Sequence, residues 1–251
     1  SDSIDYIGFF DFIPFYPDYI TKNYQKTKEF IFYGIVLLVG IIVLIGHINF
    51  LYPRIYTKEI KINKQVKDFK TLNIVVASDI HMGTIVTNGR VRKLVDMVNG
   101  LNPDIILLPG DILDEDLEPV LRRNLGEDIS KLKAKYGVYA VNGNHEFIGG
   151  AEEADKYLRN HRINLLRDSV TVIDDRFLIV GREDLSVNRI RKRKTIDELL
   201  SGYNKELPII LLDHQPFKLF EAENAGVDLQ LSGHTHHGQL FPFNYLTKKI
   251  Y

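Results

Sequence analysis

The chain has 251 residues, 45% of them apolar, enough for one large domain or two small ones with a real core. Lys plus Arg number 32 against 33 Asp plus Glu, so no global field recruits nucleic acid, and anion binding has to come from a local site or a bound cation. The absence of cysteine excludes a disulfide framework and a thiolate metal site, leaving His, Asp, Glu and Asn as ligands for any transition metal.

The first segment, residues 1–29, is crowded with Phe and Tyr and broken by Pro14 and Pro17, which suits an interfacial loop with rings at headgroup level. From Phe30 to Tyr52 the run FIFYGIVLLVGIIVLIGHINFLY holds no Asp, Glu, Lys or Arg and has the length of about twenty residues that a helix needs to cross the hydrocarbon. A buried core helix would show a polar face. A signal peptide would have a shorter apolar region and then a small-residue cleavage site, whereas NFLYPRIY follows here. The span therefore reads as a transmembrane helix. Lys22, Lys26 and Lys28 precede it, and Arg54, Lys58, Lys61, Lys64 and Lys67 follow, a balance that leans toward a cytoplasmic C-terminal part.

Residues 53–70 read as a linker in which TKEIKINK alternates like a short strand, and the second domain runs over 71–251. LNIVVASD is a continuous apolar run, as expected of a strand buried on both faces. Val91, Leu94, Val95, Val98 and Leu101 then recur on one helical face, and PDIILLPGD is a second buried strand, which makes a βαβ unit. The pattern continues with a helix through Leu125, Ile129 and Leu132, the strand GVYAVNG and a helix over Ala151 to Asn160. SVTVI and FLIVG are spaced as a hairpin. TIDELL has the Thr195/Glu198 spacing of a capping box, PIILLDH is a strand, PFKLFEAENAG is a helix closed by glycine, and VDLQLSGH is a final strand.

The polar clusters SDIH, GDILD, GNHE, LDH and SGHTHH each fall at or just past the carboxyl end of a predicted strand. In open α/β sheets that edge is where ligands bind, so the clusters are expected to converge on one site. Singly, an Asp-x-His is more often a cap or a loop, and a Gly-Asn-His is usually a turn. Five of them in order, all at strand ends, have no comparable bland explanation.

The order Asp79-x-His81, Gly110-Asp111-x-x-Asp114, Gly143-Asn144-His145-Glu146, His214 and Gly233-His234-x-His236 resembles the calcineurin-like metallophosphoesterase superfamily, over about residues 72–240. LLDHQPF, LSGHTHHGQL and the preceding span are similar to the bacterial membrane-associated branch that includes UDP-2,3-diacylglucosamine pyrophosphatases. The resemblance implies a four-layer α/β/β/α sandwich and two divalent ions, with Mn the leading choice over Fe, Zn or Co. One ion would take Asp79, His81 and His236, the other Asn144, His214 and His234, with Asp111 bridging both. His145 would serve the leaving oxygen, oriented by Asp114, with Glu146 beside them.

The implied activity is a membrane-anchored phosphohydrolase using metal-activated hydroxide. Its substrate would be a lipid-linked or nucleotide-linked phosphoester, with UDP-2,3-diacylglucosamine in lipid A biosynthesis as the named candidate, and its setting a bacterial inner membrane. A general phosphodiesterase or phosphomonoesterase is the alternative, then a non-catalytic scaffold of the same fold or a transporter with a regulatory domain. No nucleic-acid partner is expected.

His237 reads as a loop residue, since His234 and His236 fill the two places of the motif, while His47 and His161 read as interfacial and surface residues. RIRKRK, Arg189 to Lys194, reads as a solvated loop, with a second phosphate or an anionic membrane surface as the alternative. Arg182 in GREDLS belongs either to a turn or to a substrate contact. The chain begins without methionine and ends at Tyr251, soon after the last motif, so both ends are expected to be cut and C-terminal strands of the sandwich to be missing.

Overall fold

The computed structural model describes residues 24–66 and 68–236, with positions 245, 247 and 249. Residues 1–23 of the expected interfacial loop lie outside this set, as does His237. The chain divides into two units between Ile60 and Lys61.

In the first unit, helix α1 (Tyr24–Leu51) has none of its residues buried and is long and apolar enough to cross a membrane. It starts six residues before the uncharged stretch, because Gln25, Lys26, Lys28 and Glu29 are good helix formers that extend it as a polar end. The uncharged part, Phe30–Leu51, is about 33 Å long at the α-helical rise, close to a hydrocarbon thickness of about 30 Å.

The second unit carries two four-stranded sheets. The first has the order β1 (Ile74–Val76), β2 (Ile105–Pro109), β3 (Val138–Val141) and β4 (Asn164–Leu165), all parallel. The second has the order β5 (Ser169–Ile173), β6 (Phe177–Gly181), β7 (Ile209–Leu212) and β8 (Leu229–Leu231), with an antiparallel β5–β6 hairpin and parallel pairs beyond it. The hairpin is the one predicted from SVTVI and FLIVG.

Alternation of side chains along the strands builds the layers. In β2, Ile106 and Leu108 face the helices α2 (Asn88–Gly100), α4 (Leu125–Ile129) and α6 (Ala151–Asn160), the last directly after the short α5 (Asn144–Gly149), whereas Ile105 and Leu107 enter a core shared with the second sheet. In β6 and β7, Phe177, Ile179, Ile210 and Leu212 join that shared core, while Leu178, Val180, Ile209 and Leu211 face α7 (Ile196–Leu200) and α8 (Leu219–Ala225). Burial on both faces is why these strands read as unbroken apolar runs. The result is the expected α/β/β/α sandwich. Thr195 and Glu198 cap α7 reciprocally, and Gly226 closes α8 in a left-handed conformation.

Two expectations are corrected. TKEIKINK forms no strand: residues 57–65 have no ladder partner, and Lys64 instead reaches across to Asp228 at 2.6 Å. Alternation alone cannot make a strand where no sheet edge meets it. The helix expected through Leu125, Ile129 and Leu132 is split into α3 (Glu118–Arg122) and α4, because Asn124 between them sits at φ 50°, and Leu132 lies beyond α4.

Ile106→Ala empties a position with no exposure, so it is expected to destabilise the second unit by about 2–5 kcal/mol in denaturant titration of the whole chain. Val172→Ala on β5, 40% exposed, should stay within about 1 kcal/mol. Equal losses at the two positions would contradict this layering.

Candidate metal centre

Five loops leave the carboxyl ends of β1, β2, β3, β7 and β8, and they deliver Asp79 and His81, Asp111, Asn144, His214, and His234 and His236. The backbone turns sharply to do so. Asp79 (φ 54°), His81 (50°), Asp111 (51°), His234 (70°) and His236 (45°) all adopt the left-handed region, which Asp, Asn and His tolerate best among residues with a Cβ. Such conformations cost on the order of 1–3 kcal/mol each and persist only where the surroundings enforce them.

Here the enforcement is a set of hydrogen bonds between loops. Asp79 N and His81 N donate to the carbonyls of Gly110 and Asp111 at 3.1 and 3.0 Å, and Asp114 N returns a bond to Met82 O at 3.0 Å. His234 N donates to Asp79 Oδ1 at 2.8 Å, and His145 N to Asp111 Oδ1 at 3.0 Å. The Glu146 carboxylate, fully buried, accepts from Asp111 N, Leu113 N and Gly143 N at 3.1, 2.8 and 2.7 Å, tying the loops after β2 and β3 together. Burial, together with the charge of Asp111, pushes the Glu146 carboxyl up to about 7 despite these donors. The loops approach so closely that a Cβ at Gly143 would strike the Asp111 carboxylate, and one at Gly233 would strike Ser78 and Asp79.

The side chains assemble in two adjoining groups, Asp79/His81/His236 and Asp111/His214/His234, with a third, His81/Asp111/His145, overlapping both, and within each group the ligand atoms lie within 4.8 Å of one another. In the first, His81 Nε2 and His236 Nε2 are 3.3 Å apart, and His236 Nε2 is 3.5 Å from Asp79 Oδ1. In the second, His214 Nε2 is 3.1 Å from Asp111 Oδ2 and 3.3 Å from Asn144 Oδ1, and His234 Nδ1 is 2.9 Å from the same Asn144 oxygen. Asp111 Oδ2 is also 3.9 Å from His81 Nε2, so it stands between the groups. All seven residues expected to hold metal are thus brought together.

The donor chemistry fits cations. His214 Nδ1 lies 2.8 Å from the Pro109 carbonyl, which can accept only from an N–H, so in the neutral ring Nε2 presents a lone pair toward the Asp111 and Asn144 oxygens. Three acceptors facing one another repel unless a cation sits among them. Without metal that cation is a proton. Burial alone would lower the His214 pKa, but the Asp111 carboxylate and the Pro109 carbonyl outweigh it and hold the group up at about 9. His81 and His234 are shifted down, chiefly by burial, and stay neutral and ready to coordinate.

His145 lies beside these groups, its ring edge-on to His81 with centroids 4.5 Å apart. Its Nδ1 is buried, 3.3 Å from Asp114 Oδ1 but not aligned for a hydrogen bond, and 3.6 Å from Glu115 Oε1. Glu115 does not stand out in the sequence; its only signal there is its place in the acidic run after Asp114.

In the RIRKRK run Arg193 turns inward, contrary to the solvated reading, while Arg189, Arg191, Lys192 and Lys194 are exposed as that reading expects. Arg193 is buried and grips Asp213 with both terminal nitrogens, at 3.1 and 2.5 Å, and Arg191 pairs with Asp168 and Glu183 at 3.3 and 3.0 Å. Arg182 is buried against Asp213 and Glu221, a structural partner and not a substrate contact in this arrangement. Each has an acidic partner placed there by the fold, which no local spacing could disclose.

A layered α/β/β/α fold that gathers histidines, carboxylates and an asparagine at its strand ends has the architecture and donor set of a metallophosphoesterase domain. The calcineurin-like phosphoesterase family matches residues 72–238, and the chain belongs to it. It is 30% identical to a transmembrane protein with metallophosphoesterase domain from Danio rerio, over 84% of this chain and 51% of that protein. It is also 30% identical to an uncharacterized metallophosphoesterase from Helicobacter pylori (strain ATCC 700392 / 26695), over 92% of this chain and 62% of that protein. The chain therefore spans about half to three fifths of the length of these relatives. Among solved structures, a 5'-nucleotidase precursor from Thermus thermophilus aligns with TM-score 0.44 and 18% identity, over 66% of this chain and 42% of that one. The family implies divalent metal ions at the centre.

Because the metal-free His214 keeps a proton up to a pH of about 9, metal uptake must displace it. Affinity for Mn²⁺ in the EDTA-stripped protein is expected to rise between pH 6.5 and 9 and level off above, with proton release that falls over the same range, read with an indicator dye in weak buffer. A pH-independent affinity would contradict the His214–Asp111 proton.

Proposed function

We propose that the chain is a membrane-anchored phosphohydrolase with a dinuclear metal centre, in which Phe30–Tyr52 crosses the bilayer and 71–251 form the catalytic domain. The observation that carries it is the convergence of Asp79, His81, Asp111, Asn144, His214, His234 and His236 from five separate loops into two adjoining groups. One ion is assigned to Asp79, His81 and His236 and the other to Asn144, His214 and His234, with Asp111 shared. Two divalent ions, when bound, supply charge neutralisation for the phosphate and an activated water to attack phosphorus in line. Manganese is the metal to try first, since nitrogen and oxygen donors without sulfur suit it.

The remaining steps fall to the protein. Asp111 and Glu146 hold the loops after β2 and β3 at fixed separation, so the attacking and leaving oxygens can lie in line. As the new P–O bond forms and the old one breaks, His145 gives its proton to the departing oxygen. The carboxylates of Asp114 and Glu115 lie 3.3 and 3.6 Å from His145 Nδ1, close enough to orient the ring for this step.

The Danio rerio relative named as transmembrane supports the anchor, the basic residues after the span favour a cytoplasmic active site, and the Helicobacter pylori relative favours a bacterial inner membrane as its setting. An anchored site suits a lipid-linked or nucleotide-linked phosphoester, and UDP-2,3-diacylglucosamine is the substrate to test against simple ones. Full-length protein in detergent with Mn²⁺ is expected to hydrolyse UDP-2,3-diacylglucosamine faster than an aryl phosphodiester or monoester. Equal turnover of all three would leave a general phosphodiesterase or phosphomonoesterase, and turnover of none would refute the reading.

His145→Ala should lower turnover by about 10²–10⁴-fold while both metals stay bound. Asp111→Asn should lose metal and activity together. Metal analysis beside kinetics separates the two roles, and unchanged activity in either variant would remove its assignment.

A further inference from the structure

A largely buried chain of ion pairs and hydrogen bonds joins the two loops that carry Asn144 and His214. Asn142, two residues before Asn144, donates to Asp155 Oδ1 at 2.7 Å, and Asp155 accepts from Arg167 at 2.7 Å. Arg167 forks onto Glu183 at 2.7 and 2.9 Å. The Glu183 carbonyl accepts from Arg193 at 2.8 Å, and Arg193 forks onto Asp213, the residue before His214, at 3.1 and 2.5 Å. Asn142, Glu183 and Asp213 are each 1% exposed and Arg193 is 7% exposed. The chain thus starts on the first sheet at β3, crosses to the second at β6, and ends on β7.

Stability is a poor explanation for so many buried charges. Taking both members of an ion pair out of water costs several kcal/mol per ion, and apolar replacements of similar volume are often equally stable or more so. A bidentate Arg–carboxylate fork does offer directional rigidity. Asp213 sits where that rigidity matters: its N–H bonds Leu231 O at 3.2 Å, and the next carbonyl, of His214, accepts from Gly233 N at 2.9 Å, setting the register of His234 as well.

We propose that Arg193, through Asp213, is a positioning residue that fixes His214 relative to Asn144 and thereby the affinity of the second metal position. This rests on the dinuclear reading above. Neither Arg193 nor Asp213 ligates metal; both act through the backbone of the ligand that follows Asp213.

The test uses the full chain in detergent, stripped with EDTA and titrated with Mn²⁺, with binding followed by low-temperature EPR and folding by thermal melting. Arg193→Met is expected to weaken one of two Mn²⁺ by tenfold or more, so that the signal of isolated Mn²⁺ replaces that of a coupled pair, and to lower the melting midpoint by leaving Asp213 with Arg182 alone, at 3.3 Å, to balance its charge. Adding Asp213→Asn removes that buried charge and should recover the midpoint without recovering the second Mn²⁺. A merely structural role would bring both back together. If Arg193→Met does not accumulate, Arg193→Lys, which keeps the charge but cannot form the fork, should show the same selective loss. Wild-type binding of two Mn²⁺ by the single variants, or recovery of metal together with the midpoint in the double variant, would overturn the proposal. Fewer than two Mn²⁺ in the unaltered protein would overturn the dinuclear reading itself.

Discussion

The crowding of unshared electron pairs at the strand ends is the constraint on which the rest depends. Asp111 Oδ2 and Asn144 Oδ1 lie 3.1 and 3.3 Å from His214 Nε2, and the Pro109 carbonyl prevents that ring from turning its other nitrogen inward. Such an arrangement is stable only around positive charge, whether a proton or a metal ion. Left-handed backbone at five of the seven candidate ligand positions, glycines at Gly143 and Gly233, and a buried Glu146 spanning two loops all hold that arrangement closed. Local stability has been given up to aim side chains, and the sandwich core supplies the compensation.

Much of this is legible in the sequence, for reasons that can be named. Strands β2, β6 and β7 are buried on both faces, so IILLP, FLIVG and IILL stand out as unbroken runs, and the polar clusters that follow β2 and β7 mark the edge where sites form. The capping box at Thr195 and the glycine that closes α8 are local signals and can be read locally. What depends on distant partners is not legible. TKEIKINK has the alternation of a strand but meets no sheet edge. Arg193 looks like part of a solvated basic run until Glu183 and Asp213 are folded around it. The positive φ angles of Asp79, His81 and Asp111 leave no trace in residue type, since Asp and His occupy ordinary conformations just as readily.

The internal use of basic residues also alters how charge in this chain should be understood. A near-zero net charge could have meant a uniformly mixed surface. Instead several arginines neutralise buried carboxylates at the junction of the sheets, so they are withdrawn from the field that a phosphate or a membrane would feel. Attraction of an anionic substrate then falls to the centre itself and whatever cations it holds.

The division of the candidate ligands between the two sheets carries a mechanical consequence. Asp79, His81, Asp111 and Asn144 belong to one sheet, and His214, His234 and His236 to the other, with Ile105, Leu107, Phe177, Ile179 and Ile210 packed between them. Metal held by residues of both halves, as proposed, would tie the layers together at one end, and its release would wait on breathing of that apolar seam. Loosening the seam far from the centre would therefore shorten metal residence time even with every ligand intact.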